Sequence, residues 1–164
     1  MKTRKTTILN LILIPFLLLQ AQAQNVAVKT YAKGSSITAF KAADQHGKAY
    51  VFKKGTRYLL VSFDMSTGKK ANKALHAKGA AYLPGKKAVY VANIYGMPGI
   101  GRMFALPKMR KYAHTIILAD EENLLAPFPT QEGKVTVLKL SSRGVVSQIL
   151  YWDPNQQKIE TILK

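Results

Sequence analysis

The sequence predicts an α/β fold built on a mixed sheet, with parallel central strands, flanking helices, and a C-terminal β-hairpin plus helix. Three observations predict it. Residues 58–63 (YLLVSF), 88–92 (AVYVA) and 115–119 (TIILA) are short, nearly continuous apolar runs, the pattern of strands covered on both faces. Segments with helical spacing separate them, and strand–helix alternation brings successive strands side by side in parallel. Turn chemistry at 44–48 (DQHGK) and 141–144 (SSRG) adds antiparallel hairpins early and late in the chain.

In chain order, residues 24–36 are small and polar and read as a loose or edge segment. Residues 37–41 and 49–53 read as the two strands of the first hairpin, and Lys54-Gly55-Thr56 as the next turn. The first central strand, 58–63, runs into the tight polar turn Asp64-Met65-Ser66-Thr67-Gly68. From Lys69 onward Ala71, Ala74, Leu75 and Lys78 recur at helical spacing, and Pro84-Gly85 is expected to end that region. After strand 88–92 comes a Gly-rich segment, 96–101 (GMPGIG). Beyond it Ile100, Met103, Phe104 and Leu106 offer an apolar helical face, which Pro107 is expected to kink or break. Strand 115–119, a turn at 120–123 and a loop with two prolines lead to the hairpin 134–140 and 145–151. Asp153 is expected to N-cap a last helix, with Pro154 at its first position and Ile159, Ile162 and Leu163 as its apolar stripe.

The 164 residues suffice for one domain with a sizeable core. Residues 1–23 read as a Sec-type signal peptide. Lys2, Arg4 and Lys5 are its positive start, 8–19 its apolar run, and Ala21-Gln22-Ala23 its cleavage site. That apolar run is shorter than the roughly 20 residues a membrane-spanning helix needs. An uncleaved anchor is the alternative. The expected product is a single domain, 24–164, in a periplasm.

The chain contains no cysteine. Disulfides, thiol redox chemistry, thiolate metal sites and a cysteine nucleophile are therefore excluded. It carries 25 basic and 8 acidic residues, a net +17; without Lys2, Arg4 and Lys5 the balance is 22 against 8, or +14. Such an excess favours anionic partners. A solvated basic surface that only aids solubility is the plainer reading. The cations cluster as Lys69, Lys70, Lys73, Lys78, Lys86 and Lys87, then Arg102, Lys108, Arg110 and Lys111. Aromatic interleaving is slight, which speaks against a groove for nucleic acid.

Three stretches resemble the thioredoxin-like superfamily, in its redoxin, thiol-peroxidase and TlpA-like branch. DQHGK at 44–48 before a strand is similar to that branch's D-x-x-G-K hairpin. LLVSFDMSTGKKANKAL at 59–75 resembles the strand, turn and helix that hold its C-x-x-C motif. Residues 114–149 resemble its strand, x-P-T loop and terminal hairpin. The resemblance implies cysteine positions near Gly68 and Ala71, where this chain has none. It also implies that Pro129, before Thr130, takes the place of the family's cis-proline, with Pro127 as the competing candidate.

In open α/β sheets ligands bind beyond the carboxyl ends of the parallel strands. The turn 64–68, the loop 94–101 and, by resemblance, the loop 127–131 should gather there. At the first, the helix start with Asp64, Ser66, Thr67, Gly68, Lys69 and Lys70 could hold an anion; simple capping by Ser66 or Thr67 is the alternative. At the second, Gly99, Gly101 and Arg102 lie after a strand and before a helix, the context of a phosphate-binding loop, but without the order of either known glycine fingerprint. His46, His76 and His114 are dispersed. Met65, Met97 and Met103 are the soft donors that could converge on a metal, though methionine more often fills core or loop space.

The expected function is a non-catalytic binding or scaffold module for a protein partner or an anionic envelope component, with no catalytic residue, metal or cofactor. The alternatives are an oxidoreductase-type enzyme holding a flavin or nucleotide at loop 96–101, and a scaffold subunit of a redox or cytochrome-assembly complex.

Overall fold

A computed structural model describes residues 28–164. The expected signal peptide and the expected start of the domain lie outside the described residues. The elements are β1 (Lys41–Asp44), β2 (Ala49–Val51), β3 (Tyr58–Ser62), α1 (Met65–His76), α2 (Tyr82–Gly85), β4 (Ala88–Asn93), α3 (Gly99–Met109), β5 (Ile117–Ala119), β6 (Val135–Leu140) and β7 (Val146–Trp152). A short 3-10 turn, Ile159–Thr161, follows β7.

The strands form one seven-stranded sheet in the order β2-β1-β5-β4-β3-β6-β7. β3, β4 and β5 run parallel, as the three apolar runs predict. β6 pairs antiparallel with β3, and β7 with β6. At the other edge β1 pairs antiparallel with both β5 and β2. β3 is buried along its whole length.

Successive crossovers from β3 to β4 to β5 move in one direction across the sheet, and a fixed crossover hand then puts their helices on one face. Ala71 and Leu75 of α1, Leu83 of α2 and Met109 of α3 accordingly share a core with Tyr58, Leu60 and Tyr90. Trp152 lies fully buried in the same core, where its indole Nε1–H donates to the Gln157 carbonyl at 2.9 Å. The intervening residues Leu59, Val61 and Val91 face the other way. Among the described residues no helix covers that side. Tyr31, Phe52 and Phe128 roof it from coil, with the Tyr31 and Phe128 rings edge to face at 5.1 Å.

Several expectations need correction. The first hairpin strand is 41–44, not 37–41, because Asp44 closes the turn: its Oδ1 accepts the amides of His46 and Lys48, and pairing proceeds outward from there. Ile37 and Phe40 pack instead on the coil-roofed face. Gln45, in the turn, is buried. Its side chain donates to the His114 carbonyl and accepts from the Ile116 amide, which fastens the hairpin to the entry of β5.

The helical region does end at Gly85, but as two helices: α1 stops at His76, and Pro84 and Gly85 close the separate four-residue α2, where the first four N–H groups have no internal acceptor and Pro84 loses nothing. Pro107 does not break α3, which runs on to Met109. Only the Met103 carbonyl loses its donor, and Met103 is 63% exposed, within reach of water. The expected last helix is reduced to the 3-10 turn, because Asp153 accepts the Asn155 amide in a local turn. Ile159 and Leu163 are buried nonetheless.

Candidate functional site

β3 and β4 end at Ser62 and Asn93, and the segments that follow build two neighbouring hollows at this edge. The first is a groove of about 90 Å³ between α1 and α3. Asp64, Met65 and Lys69 stand on its α1 side, Met97, Ala105 and Lys108 on its α3 side. The second, about 610 Å³, lies between Phe63, Tyr95 and the loop that carries Glu121, Glu122, Pro129 and Thr130. Asn93 borders both. Its amide donates to the Phe63 carbonyl and accepts from the Tyr95 amide, which ties the exits of the two strands together.

Helix α1 begins at Met65, one turn earlier than Lys69, because Asp64 caps it: its Oδ1 accepts the Thr67 amide at 2.8 Å. Partial burial pushes the Asp64 carboxyl up, but hydrogen bonds from Thr67 and Ser66 outweigh it and hold the group below the usual carboxylate range. The cap is therefore Asp64 and not Ser66 or Thr67, both of which lie inside the helix. This carboxylate occupies the place an external anion would take at the helix start. Thr67 and Gly68 are buried, while Lys69 and Lys70 are exposed.

The two cysteine positions implied by the resemblance fall in the interior of α1, on residues closed to solvent: Gly68 is buried and Ala71 is 0% exposed. Beneath Gly68, the Ser62 hydroxyl and the Tyr90 hydroxyl are hydrogen-bonded at 2.8 Å. Burial pushes the Tyr90 phenol far up, so it stays protonated. A Cβ at position 68 would meet Ser62 Oγ at 3.4 Å, an ordinary contact. Gly68→Ala is therefore expected to raise stability by about 0.5–1 kcal/mol through helix propensity alone, read as a higher urea midpoint.

Arg102 is the best-anchored side chain of the Gly-rich segment. Its guanidinium forms a two-pronged pair with the Asp120 carboxylate and also donates to the carbonyls of Met97 and Ile94. It clamps the β4–α3 connection to the end of β5, with little of its donor capacity left for a phosphate. Gly99 and Gly101 lie in the first turn of α3 and line neither hollow at this edge. Met65 and Met97 share the groove and Met103 does not. Among the described residues no three histidines or carboxylates cluster as a metal site would require.

Pro129 and Thr130 reach the edge as expected, but in the second hollow. The Pro129 carbonyl accepts the Thr136 hydroxyl. Neither Pro129 nor Pro127 follows a cis bond, since every described peptide is trans. The expected cis-proline is therefore corrected.

Of the residues lining the two hollows, residue spacing does not mark Asn93 or the groove's Tyr112, while it places Lys108 only among the clustered cations and Tyr95 only in the loop 94–101. An asparagine ending an apolar strand was the one available signal, as a polar residue placed where a covered strand meets a loop.

No family model matches the chain, and no curated protein does. Solved structures do. The chain is similar to a peroxiredoxin-like protein from Aquifex aeolicus, with TM-score 0.57 and 7% identity over 84% of this chain and 86% of that one. It is similar to the thioredoxin domain of a thiol-disulfide oxidoreductase from Bacteroides vulgatus, with TM-score 0.53 and 13% identity over 82% and 100%. A peroxidoxin from Mycobacterium tuberculosis gives TM-score 0.53 and 13% identity over 81% and 94%. The fold is thioredoxin-like, and the chain that adopts it has no cysteine.

Proposed function

We propose that this cysteine-less thioredoxin-like chain is a non-catalytic binding module of the periplasm, which receives an acidic protein segment at the carboxyl edge of its parallel strands. One observation carries the reading. Ile100, Met103 and Phe104 of α3 are 72%, 63% and 63% exposed, a contiguous apolar stripe at i, i+3 and i+4. The sequence marks these residues as one apolar helical face, and in the folded chain that face meets solvent. Met65 and Tyr95, at the same edge, are about half exposed as well. Exposed apolar area of this kind stabilises an interface rather than the isolated fold.

The chemistry of the occupant follows from the groove beside the stripe. Its lining is largely apolar, Lys69 and Lys108 stand on opposite sides of it, and the one carboxylate in the lining, Asp64, is committed to capping α1. That combination suits an apolar anchor flanked by carboxylates. A second copy of the chain is disfavoured, because each copy carries the same large positive charge.

A photo-cross-linking residue at Phe104 tests the reading, with one at Val51 on the far edge strand as control. A discrete adduct with an acidic protein, formed at 104 and lost at high salt, is expected. Equal labelling from both positions, or none at 104, would sink the idea. A further expectation concerns stability. Replacing Ile100, Met103 and Phe104 together by serine should change folding free energy by less than about 1 kcal/mol, since exposed positions do little for the fold. Thermal melts followed by circular dichroism check it.

A further inference from the structure

The opposite end of the sheet carries a second concave site. It is a hollow of about 560 Å³ where β3 and β4 begin and β6 ends. Arg57, Lys86, Lys87, Lys139 and Lys164 all line it, and no acidic side chain does. Three parts of the sheet deliver four of these cations, and the segment after β7 brings Lys164, whose main-chain oxygen accepts the Tyr58 hydroxyl. Arg57 and Lys87 are joined at the strand entries, where the Lys87 carbonyl accepts the Arg57 amide at 2.7 Å. Lys139 stands opposite Tyr58 in the β3–β6 register. The Arg57 carbonyl accepts the Leu140 amide, and the Arg57 guanidinium lies 5.7 Å from the Tyr58 ring centre. Lys86 and Lys139 are half-buried. Among the described residues, none of the five forms an ion pair; the two pairs present are Lys78–Glu160 and Arg102–Asp120.

Most lysines of a basic protein spread over its surface, where solvent screens them from one another. Four lysines and an arginine that converge on one concavity repel each other, and a bound polyanion relieves that repulsion. We propose that this hollow binds a ligand bearing two or more phosphate or sulfate groups. Its volume falls within the roughly 300–1,000 Å³ of small-ligand sites. An arginine supplies a planar, two-pronged donor to one oxyanion, and lysines supply mobile point charges to the next. The site lies at the far end of the strands from the proposed protein-docking edge, so the two readings stand or fall separately.

The test is calorimetric titration with tripolyphosphate, alongside co-sedimentation with phosphatidylcholine vesicles made with and without cardiolipin. Saturable one-to-one binding of tripolyphosphate is expected. Lys86→Gln with Lys139→Gln should weaken it about tenfold or more. Lys41→Gln with Lys134→Gln, which removes the same net charge outside this hollow and outside the docking groove, should leave it unchanged. Lys86→Gln with Lys164→Gln repeats the first test without altering a strand residue. Binding of tripolyphosphate alone identifies a soluble ligand, and cardiolipin-dependent sedimentation lost in the same variants identifies a lipid headgroup. Equal weakening by both charge-matched pairs, or no saturable binding of either probe, overturns the proposal.

Discussion

Replacing Trp152 with alanine is expected to cost about 3–5 kcal/mol of folding stability. The indole ends β7 opposite Val135, is 0% exposed, and sits in the helix-side core with Leu163 and Ile159. Truncation opens a cavity and also leaves the Gln157 carbonyl without its donor. A domain of this size has of order 5–15 kcal/mol in total, so the variant should melt more than about 10 °C lower. Trp152→Phe keeps most of the apolar volume but not the hydrogen bond, and should cost roughly 1–3 kcal/mol. Trp152 is the chain's single tryptophan, so circular dichroism rather than fluorescence must follow both variants. An unchanged midpoint for the alanine variant would mean that the segment after β7 does not dock on the sheet.

Acidification should weaken the fold in two separable steps, the first of them governed by His114. This imidazole is 1% exposed. Its Nε2 lies 3.0 Å from Asn72 Oδ1, and its Nδ1 is buried with no hydrogen-bond partner. The rings of Tyr90 and Tyr112 pack against it at 5.9 and 5.7 Å. Burial, with a smaller contribution from the neighbouring His76, pushes the pKa down from 6.5 to about 4. A base depressed in the folded state takes up its proton more readily when unfolded. Stability is therefore complete above pH 6.5, declines as pH falls toward 4, and levels off below. The expected loss is on the order of 2 kcal/mol. Asp64 and Glu160 are both held below their ordinary values of 3.8 and 4.5, so their stabilisation is lost only at lower pH. Urea midpoints from pH 7 to 4 should fall in the native protein and stay nearly flat down to pH 5 in His114→Gln. A native profile that is already flat over that range would show that His114 is protonated within the fold, or solvated.

Much of the architecture was legible because covered strands and tight turns leave local signatures. The runs at 58–63, 88–92 and 115–119 became β3, β4 and β5, each within two residues of the expected bounds. The polar turn after the first run did open a helix. The misses share a cause. Leu83 and Pro84 sit in a four-residue helix too short to show periodicity, and Asp153 had two local options between which spacing does not discriminate. The sequence groups Asp64 with an anion-holding helix start and leaves capping to Ser66 or Thr67, whereas its own carboxylate accepts an amide of its helix.

What the sequence by itself determined about this protein is its sheet, its chemistry by exclusion and its charge. Apolar runs bounded by turn residues are local facts, the absence of cysteine removes thiol chemistry in any conformation, and net charge does not depend on folding. Only the tertiary structure decided which faces are covered and which charges meet. Periodicity marks Ile100, Met103 and Phe104 as one face of α3, but whether that face meets the core or water depends on how α3 lies on the sheet, and it meets water. Lys86 and Lys87 looked like a continuation of the cations on α1. The turn into β4 instead carries them to the opposite end of the strands, beside Arg57 and Lys139, which lie about 30 and 50 residues away in the chain. Strand pairing acts at about 5 Å whatever the sequence separation, so a site assembled by it leaves no spacing for the sequence to display.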